Sequence, residues 1–266
     1  MTSDPALLGL AATDPDHYLV RRGETGSGPG WRSTTELGEP AAWPDIAQDY
    51  AVDLGGANTV VGGSCALQGY AWRVASLSIG RWAVSGHGLA LAEAELRVRL
   101  RSGRTVGLAV GGVTVGGPTT PETLAADLVS HLTPVVEASR TVSRLRAHVA
   151  WGNVGSAVAS AWRRVHDAVP PARRPEVLRA AQACLEAPAW PWDEAPIEWQ
   201  VSEGRPLRYR RTTCCLIRLA PGHSACTACA DIEPAANQRR WAEAEATRPS
   251  IPSLPRIGTV GAHVGR

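Results

Sequence analysis

Four of the six cysteines fall within sixteen consecutive residues: Cys214 and Cys215 side by side, then ten residues, then Cys226-Thr227-Ala228-Cys229. Four thiolates from one loop are enough to complete a zinc site or an iron–sulfur cluster, because the soft sulfur donor matches these metals. The C-x-x-C half is shared by zinc ribbons, ferredoxin-type loops and redox disulfides. The adjacent pair is more informative, since zinc ribbons offer two C-x-x-C knuckles. Neighbouring side chains diverge, so a vicinal pair makes a tight geometric demand, and the spacing leaves open which thiols share a metal ion. Arg210, Arg211 and Arg218 flank the loop. Cations there would favour the more negative, reduced form of a cluster, or draw in an anionic substrate or an acidic partner protein. Taken singly, the ordinary role of each arginine is a solvated surface. His223, inside the loop, could replace a thiolate in mixed ligation, but four thiols already satisfy a site. Cys65 and Cys184 stand alone in apolar segments and read as small buried hydrophobes.

The pattern C-C-x10-C-x2-C, preceded by Arg208-Tyr209-Arg210-Arg211 and followed after its first pair by Arg218 and a Pro-Gly turn, resembles the C-terminal [2Fe-2S] motif of ferric-siderophore reductases of the FhuF type. Ala150-Trp151-Gly152-Asn153-Val154 is similar to the W-G-N segment upstream in that family. The resemblance implies a [2Fe-2S] cluster held by Cys214, Cys215, Cys226 and Cys229. It also implies a cytoplasmic one-electron reductase that takes ferric iron out of a siderophore. The implied partners are a ferric siderophore and an electron donor such as a ferredoxin or a reductase, with Arg210, Arg211 and Arg218 as candidates for substrate contact. Two positions depart from the family pattern. Ile217 precedes Arg218 where an aromatic residue is common, and Thr227-Ala228 stands where Gly-Asp or Gly-Thr is common. Neither is a ligand.

Composition excludes several other chemistries. The formal charge of +2 lacks the basic excess of a nucleic-acid binder. Every basic side chain apart from histidine is arginine, and without lysine there is no phosphate-loop lysine, no pyridoxal Schiff base and no lysine base. No G-x-S-x-G elbow and no H-E-x-x-H pair occurs. Gly23–Gly30 contains G-x-G-x-G without the strand, helix and spacing of a dinucleotide site, and reads as a loop. Neither a secretory signal nor an apolar run long enough to span a membrane is visible, so no integral membrane segment is expected. A cytosolic location is expected, where clustered cysteines serve as metal ligands more often than as disulfides.

The elements that must position the loop are legible from periodicity. Residues 1–30 read as a short amphipathic piece and a loop, and Thr34–Leu54 as helix interrupted at Pro40 and Pro44. Asn58–Trp82 reads as one buried helix or two, with Gly62, Gly63 and Gly69 arguing against a single straight one. Leu96, Val98 and Leu100 alternate with arginines, Ser102-Gly103 turns the chain, and Val106, Leu108 and Val110 alternate again, which predicts a hairpin. Thr120-Pro121-Glu122 predicts a capped helix through Leu132. Further helices are predicted from Pro134 to about His148, along the stripe Val154, Val158, Ala161, Trp162, Val165 and Val169, and from Pro175 to Leu185. A second hairpin, Ile197–Val201 and Leu207–Tyr209 about a Glu203-Gly204 turn, would deliver Cys214 and Cys215 to its end. Residues 235–246 read as a short helix and the tail from Arg248 as loosely held. The expected fold is α+β: a helix-rich domain with a hairpin over 1–190, a cluster region over 191–232, and a short helix and tail over 233–266.

Three readings compete with the reductase. A structural zinc site would use the same four thiols in a binding or scaffold protein. A redox disulfide at Cys226 and Cys229 needs a βαβ setting that is not predicted. A siderophore-binding protein without turnover would keep the fold and lack the chemistry.

Overall fold

The structure is a computed structural model describing residues 4–20, 26–91, 95–111, 118–202, 206–247 and 251–255. Helices α1 (Pro5–Thr13) and α2 (Pro15–Tyr18) each start with an aspartate cap followed by proline. Asp4 accepts from Leu7 N at 2.9 Å and Asp14 from His17 N at 3.2 Å, satisfying donors that a helix start leaves open. Strand β1 (Trp31–Ser33) runs directly into helix α3 (Thr34–Leu37) through a Ser33/Glu36 capping box. A 3-10 turn over Pro40–Ala42 and helix α4 (Trp43–Asp53) follow, so the two prolines mark starts of new turns, where no N–H is needed.

The predicted Asn58–Trp82 segment is a single helix, α5 (Thr59–Ser85), capped by Asn58. The helix runs unbroken through its glycines, two of which, Gly62 and Gly63, are required by packing. A Cβ on Gly62 would lie 2.1 Å from the Ala47 carbonyl oxygen of α4, and one on Gly63 would lie 1.9 Å from Ser143 Oγ. The missing side chains let neighbouring helices close onto α5, which is buried along most of its length. Arg81, near its end, is buried and ion-paired to Asp4 at 2.8 Å, pinning the N-terminal segment to the central helix.

Strands β2 (Glu95–Arg101) and β3 (Arg104–Gly111) form the predicted hairpin about Ser102-Gly103, and β1 adds a third, unanticipated antiparallel strand. Leu96 faces Val110 and Val98 faces Leu108, giving the expected apolar face. The register shifts after Arg99, which leaves Val106 bulged from the alternation.

Helix α6 (Pro121–Ser143) passes straight through Pro134, where a break was expected. An interior proline costs about 3 kcal/mol, but Leu128, His131 and Leu132 before it and Val135 and Val136 after it are all buried, and their shared face keeps both halves in one helix. The chain reverses at Arg144, in left-handed conformation with φ 52°, and helix α7 (Ala147–Ala168) carries the valine stripe into the core. Helix α8 (Arg174–Leu185) closes this layer, and α4, α6 and α7 all pack on α5.

Beyond the proline-rich link, strands β4 (Ile197–Gln200) and β5 (Arg208–Arg211) pair antiparallel, with Ile197 opposite Arg211. The Glu203-Gly204 turn lies outside the described residues. Helix α9 (Pro234–Ala246) follows the cysteine loop. In the tail, Leu254 packs against the core and donates its N–H to Ala168 at 3.3 Å. The fold is α+β. Among the described residues no helix is long and apolar enough to cross a membrane.

Candidate metal centre

The hairpin β4–β5 fixes where the cysteine loop begins. Arg211 N–H donates to the Ala228 carbonyl at 2.9 Å and Thr212 N–H to the Pro196 carbonyl at 3.1 Å, so the end of the loop is stitched to β5 and its start to the residue that precedes β4. Cys214 and Cys215 follow. Leu216 takes left-handed backbone with φ 68°, a 3-10 turn covers Ile217–Leu219, and Cys229 N–H closes the C-x-x-C turn on the Cys226 carbonyl at 3.2 Å.

Beneath the loop lies a buried polar network. The Arg211 side chain is 1% exposed. It donates to the Asn153 Oδ1 at 2.6 Å, to Gln68 Oε1 at 2.9 Å and to the Thr213 carbonyl at 2.9 Å. Asn153 Nδ2 donates to Ser64 Oγ at 2.8 Å, and Ser64 Oγ in turn donates to the Cys215 carbonyl at 2.9 Å. A buried charge with fully engaged neighbours specifies one arrangement of the chain around it. Gly152 belongs to the same contact, because a Cβ there would lie 1.9 Å from Thr213 Oγ1. Trp151 meets Trp190 and Trp192 edge-on, with centroids 6.5 Å away. The Trp-Gly-Asn segment on α7 is thus the bed on which the cysteine loop rests. From the other side, Asn237 of α9 donates to the Thr227 carbonyl at 2.7 Å, Arg240 donates to the Ala225 carbonyl, and Trp241 is buried.

The four loop thiols fall into two pairs. The donor atoms of Cys214, Cys229 and Asp231 all lie within 4.8 Å of one another, and among the described residues this is the group of three or more metal-binding side chains so assembled. Cys215 and Cys226 lie close to each other and share the wall of one cavity. Their contact, aided by the Arg211 charge, holds the Cys215 thiol below its ordinary value and pushes the Cys226 thiol well up. Backbone amides point at the sulfurs: Leu216 N–H reaches Cys214 Sγ at 3.4 Å, Ile217 serves Cys215 and Ala228 serves Cys226. Burial raises the Cys214 thiol above its ordinary value. All six cysteines are free thiols, and Cys65 and Cys184 are buried as expected, each pushed up to about 12 by burial.

The flanking arginines part company. Arg211 is interior, and the expectation of a solvated surface role fails there because Asn153 and Gln68 supply buried acceptors. Arg210 donates to the Ala230 carbonyl at 2.6 Å and lies 3.8 Å from Glu198. Arg218 is half exposed, bonds Asp231 at 2.8 Å and also reaches the Cys214 thiol. His223 is exposed and bound to the Pro221 carbonyl at 3.0 Å, turned to its own loop. Sequence reasoning missed Asp231, although a carboxylate two residues after Cys229 is a visible signal. Gln68, Ser64 and Asn237 carry no motif and emerge only from the folded contacts.

The assembled thiols and carboxylate could hold a metal ion. Two thiolates per iron, with inward-turned amides to support the sulfurs, is what a [2Fe-2S] group requires. A single zinc with four sulfurs at about 2.3 Å would bring all of them within about 3.8 Å of one another. No protein-family model matches the chain, and no curated protein matches it.

Proposed function

We propose that Cys214, Cys215, Cys226 and Cys229 hold a [2Fe-2S] cluster and that the chain is a ferric-siderophore reductase resembling the FhuF type. The observation that carries this reading is the division of the four thiols into a Cys214/Cys229 pair and a Cys215/Cys226 pair. It is supported by the bond between Arg211 and Asn153, which joins the two stretches that bear the family resemblance.

Bound there, such a cluster supplies one-electron chemistry. The protein's own residues hold and orient it. Arg211 keeps a fixed positive charge beneath Cys215, which offsets the negative charge of four thiolates and favours the reduced state. Asn153 and Ser64 fix the backbone of Cys215 so that its sulfur keeps one direction. Arg218 bridges Cys214 and Asp231 at the exposed edge.

The overall reaction balances simply. A soluble one-electron donor such as a ferredoxin loses one electron, and the chelated Fe(III) gains it. Oxygen-rich chelators hold hard Fe(III) tightly and softer Fe(II) weakly, so the metal then leaves. No bond to the protein forms or breaks. Thiols of this kind persist in a reducing cytosol, the setting this reading gives the protein.

A second reading is favoured by the grouping of Cys214, Cys229 and Asp231: a mononuclear site with a structural metal, leaving Cys215 and Cys226 unused. Stoichiometric reduction separates the two. Anaerobic protein reduced with dithionite, freed of excess reductant and mixed with a ferric chelate should release one Fe(II) per electron stored to a ferrous-specific chelator. A protein that stores no electron and releases no Fe(II) refutes the reductase.

A further inference from the structure

A cavity of about 370 Å³ opens beside the cysteine loop, between α5, α7 and the end of α4, and both Cys215 and Cys226 form part of its wall. The rest of the wall presents three aromatic rings: Tyr50, Trp72 and Tyr209. Two guanidinium groups lie over those rings, Arg73 at 4.2 Å from the Trp72 centroid and Arg104 at 4.8 Å from that of Tyr50. Arg73 is tied to the backbone carbonyls of Asp16 and His17, while Arg104 is paired with Asp53. Gln68 also lines the cavity, and its oxygen is taken by Arg211, which leaves its NH2 group to donate.

Gly69 gives the cavity its meaning. It sits in the middle of α5, where glycine costs about 1 kcal/mol relative to alanine. Gly62 and Gly63 on the same helix are required by close neighbours, but a Cβ on Gly69 would meet nothing within 4 Å. No contact in the described structure accounts for glycine at this position. An open floor under the Cys215/Cys226 pair does, since any larger side chain would project into the space.

We propose that this cavity is the substrate site, and that it takes an anionic ferric chelate with aryl groups, catecholate or hydroxyphenyl in type, in preference to an aliphatic hydroxamate chelate. The choice of a ferric chelate rests on the reductase reading above. The aryl preference rests on the cavity itself. Flat aromatic walls offer stacking and edge contacts to aryl rings, and Arg73, which lies over the Trp72 ring and bonds backbone carbonyls rather than a carboxylate, keeps a positive charge beside the cavity that favours an anion. Most ligand sites are concave, largely apolar and of about 300–1,000 Å³, so this one holds an arm of the chelate while the metal faces Cys215 and Cys226.

The test uses redox-inert gallium(III), so binding is read without electron transfer. Gallium tris-catecholate and gallium trihydroxamate complexes are titrated into the intact protein, and tryptophan fluorescence is followed. The catecholate complex should bind at least about tenfold more tightly than the hydroxamate, and more weakly as salt rises. Gly69→Leu, whose Cβ has open space around it and whose side chain fills the floor, should lose about tenfold or more in affinity, and so should Arg73→Gln, with metal content and visible spectrum unchanged in both. Wild-type affinity in Gly69→Leu, or equal affinity for the two complexes, overturns the proposal. Failure of the reductase reading would show differently, as absence of iron and sulfide, while the gallium titration would still report on the cavity.

Discussion

Arg211 Nη2 donates to Asn153 Oδ1 at 2.6 Å, and this bond joins the base of the cysteine loop to the N-terminal part of the buried helix α7. Replacing Asn153 by alanine leaves a buried guanidinium short of an acceptor and frees Ser64 from its partner. The expected loss is about 3 kcal/mol, or a melting temperature lower by roughly 8 °C for a chain of this size. Asn153→Asp keeps the acceptor and should lose less. Equal melting temperatures for wild type and Asn153→Ala would show that the bond does not hold the loop.

Gly152 and Thr213 are in direct steric conflict for any larger residue at 152. Gly152→Ala should therefore push Thr213, and with it Cys214, out of place, at a cost of about 1–3 kcal/mol. Adding Thr213→Ala removes the closest atom and should recover part of the loss, a non-additive pair. Denaturant midpoints and bound metal per chain measure both effects together.

Asn237 holds the C-x-x-C turn from outside through its bond to the Thr227 carbonyl. Asn237→Ala should loosen that turn locally rather than unfold the protein. The readout is the rate at which visible absorbance decays under an iron chelator, which should rise severalfold with little change in melting temperature.

His131 is buried against Tyr70, whose hydroxyl lies 2.8 Å from His131 Nε2. Burial pulls its pKa from 6.5 to about 4. As pH falls below 6.5 the unfolded chain takes up this proton and the folded chain does not, so stability is lost between pH 6.5 and 4 and is fully present above that window. The contribution is on the order of 3 kcal/mol. Denaturation midpoints from pH 7.5 to 4.5 should fall less steeply in His131→Gln than in wild type, and parallel slopes would assign the acid sensitivity elsewhere.

Much of this arrangement was legible beforehand for simple physical reasons. Period-two runs at Leu96–Val110 and Ile197–Tyr209 and the valine stripe of α7 each bury one face, so periodicity alone marks them. Pro134 misled because local propensity cannot see the buried residues on both sides of it, and Gly62 and Gly63 misled because their reason lies on other helices. The cysteines announce themselves by spacing. Their bed does not, since Ser64, Gln68 and Asn153 come from helices 58 or more residues from the loop and meet it only through tertiary hydrogen bonds. Arg211 shows the same limit, being an arginine in an exposed-looking run whose partners make it interior.

The central claim is that four thiols, two to each iron, hold a [2Fe-2S] cluster. It is tested most directly by iron and acid-labile sulfide analysis with EPR of the anaerobically purified, dithionite-reduced protein and of single Cys→Ser variants at 214, 215, 226 and 229. Two irons and two sulfides per chain, with a one-electron paramagnetic signal lost or altered in every variant, is the expected result. One zinc per chain, no sulfide and no signal would contradict it.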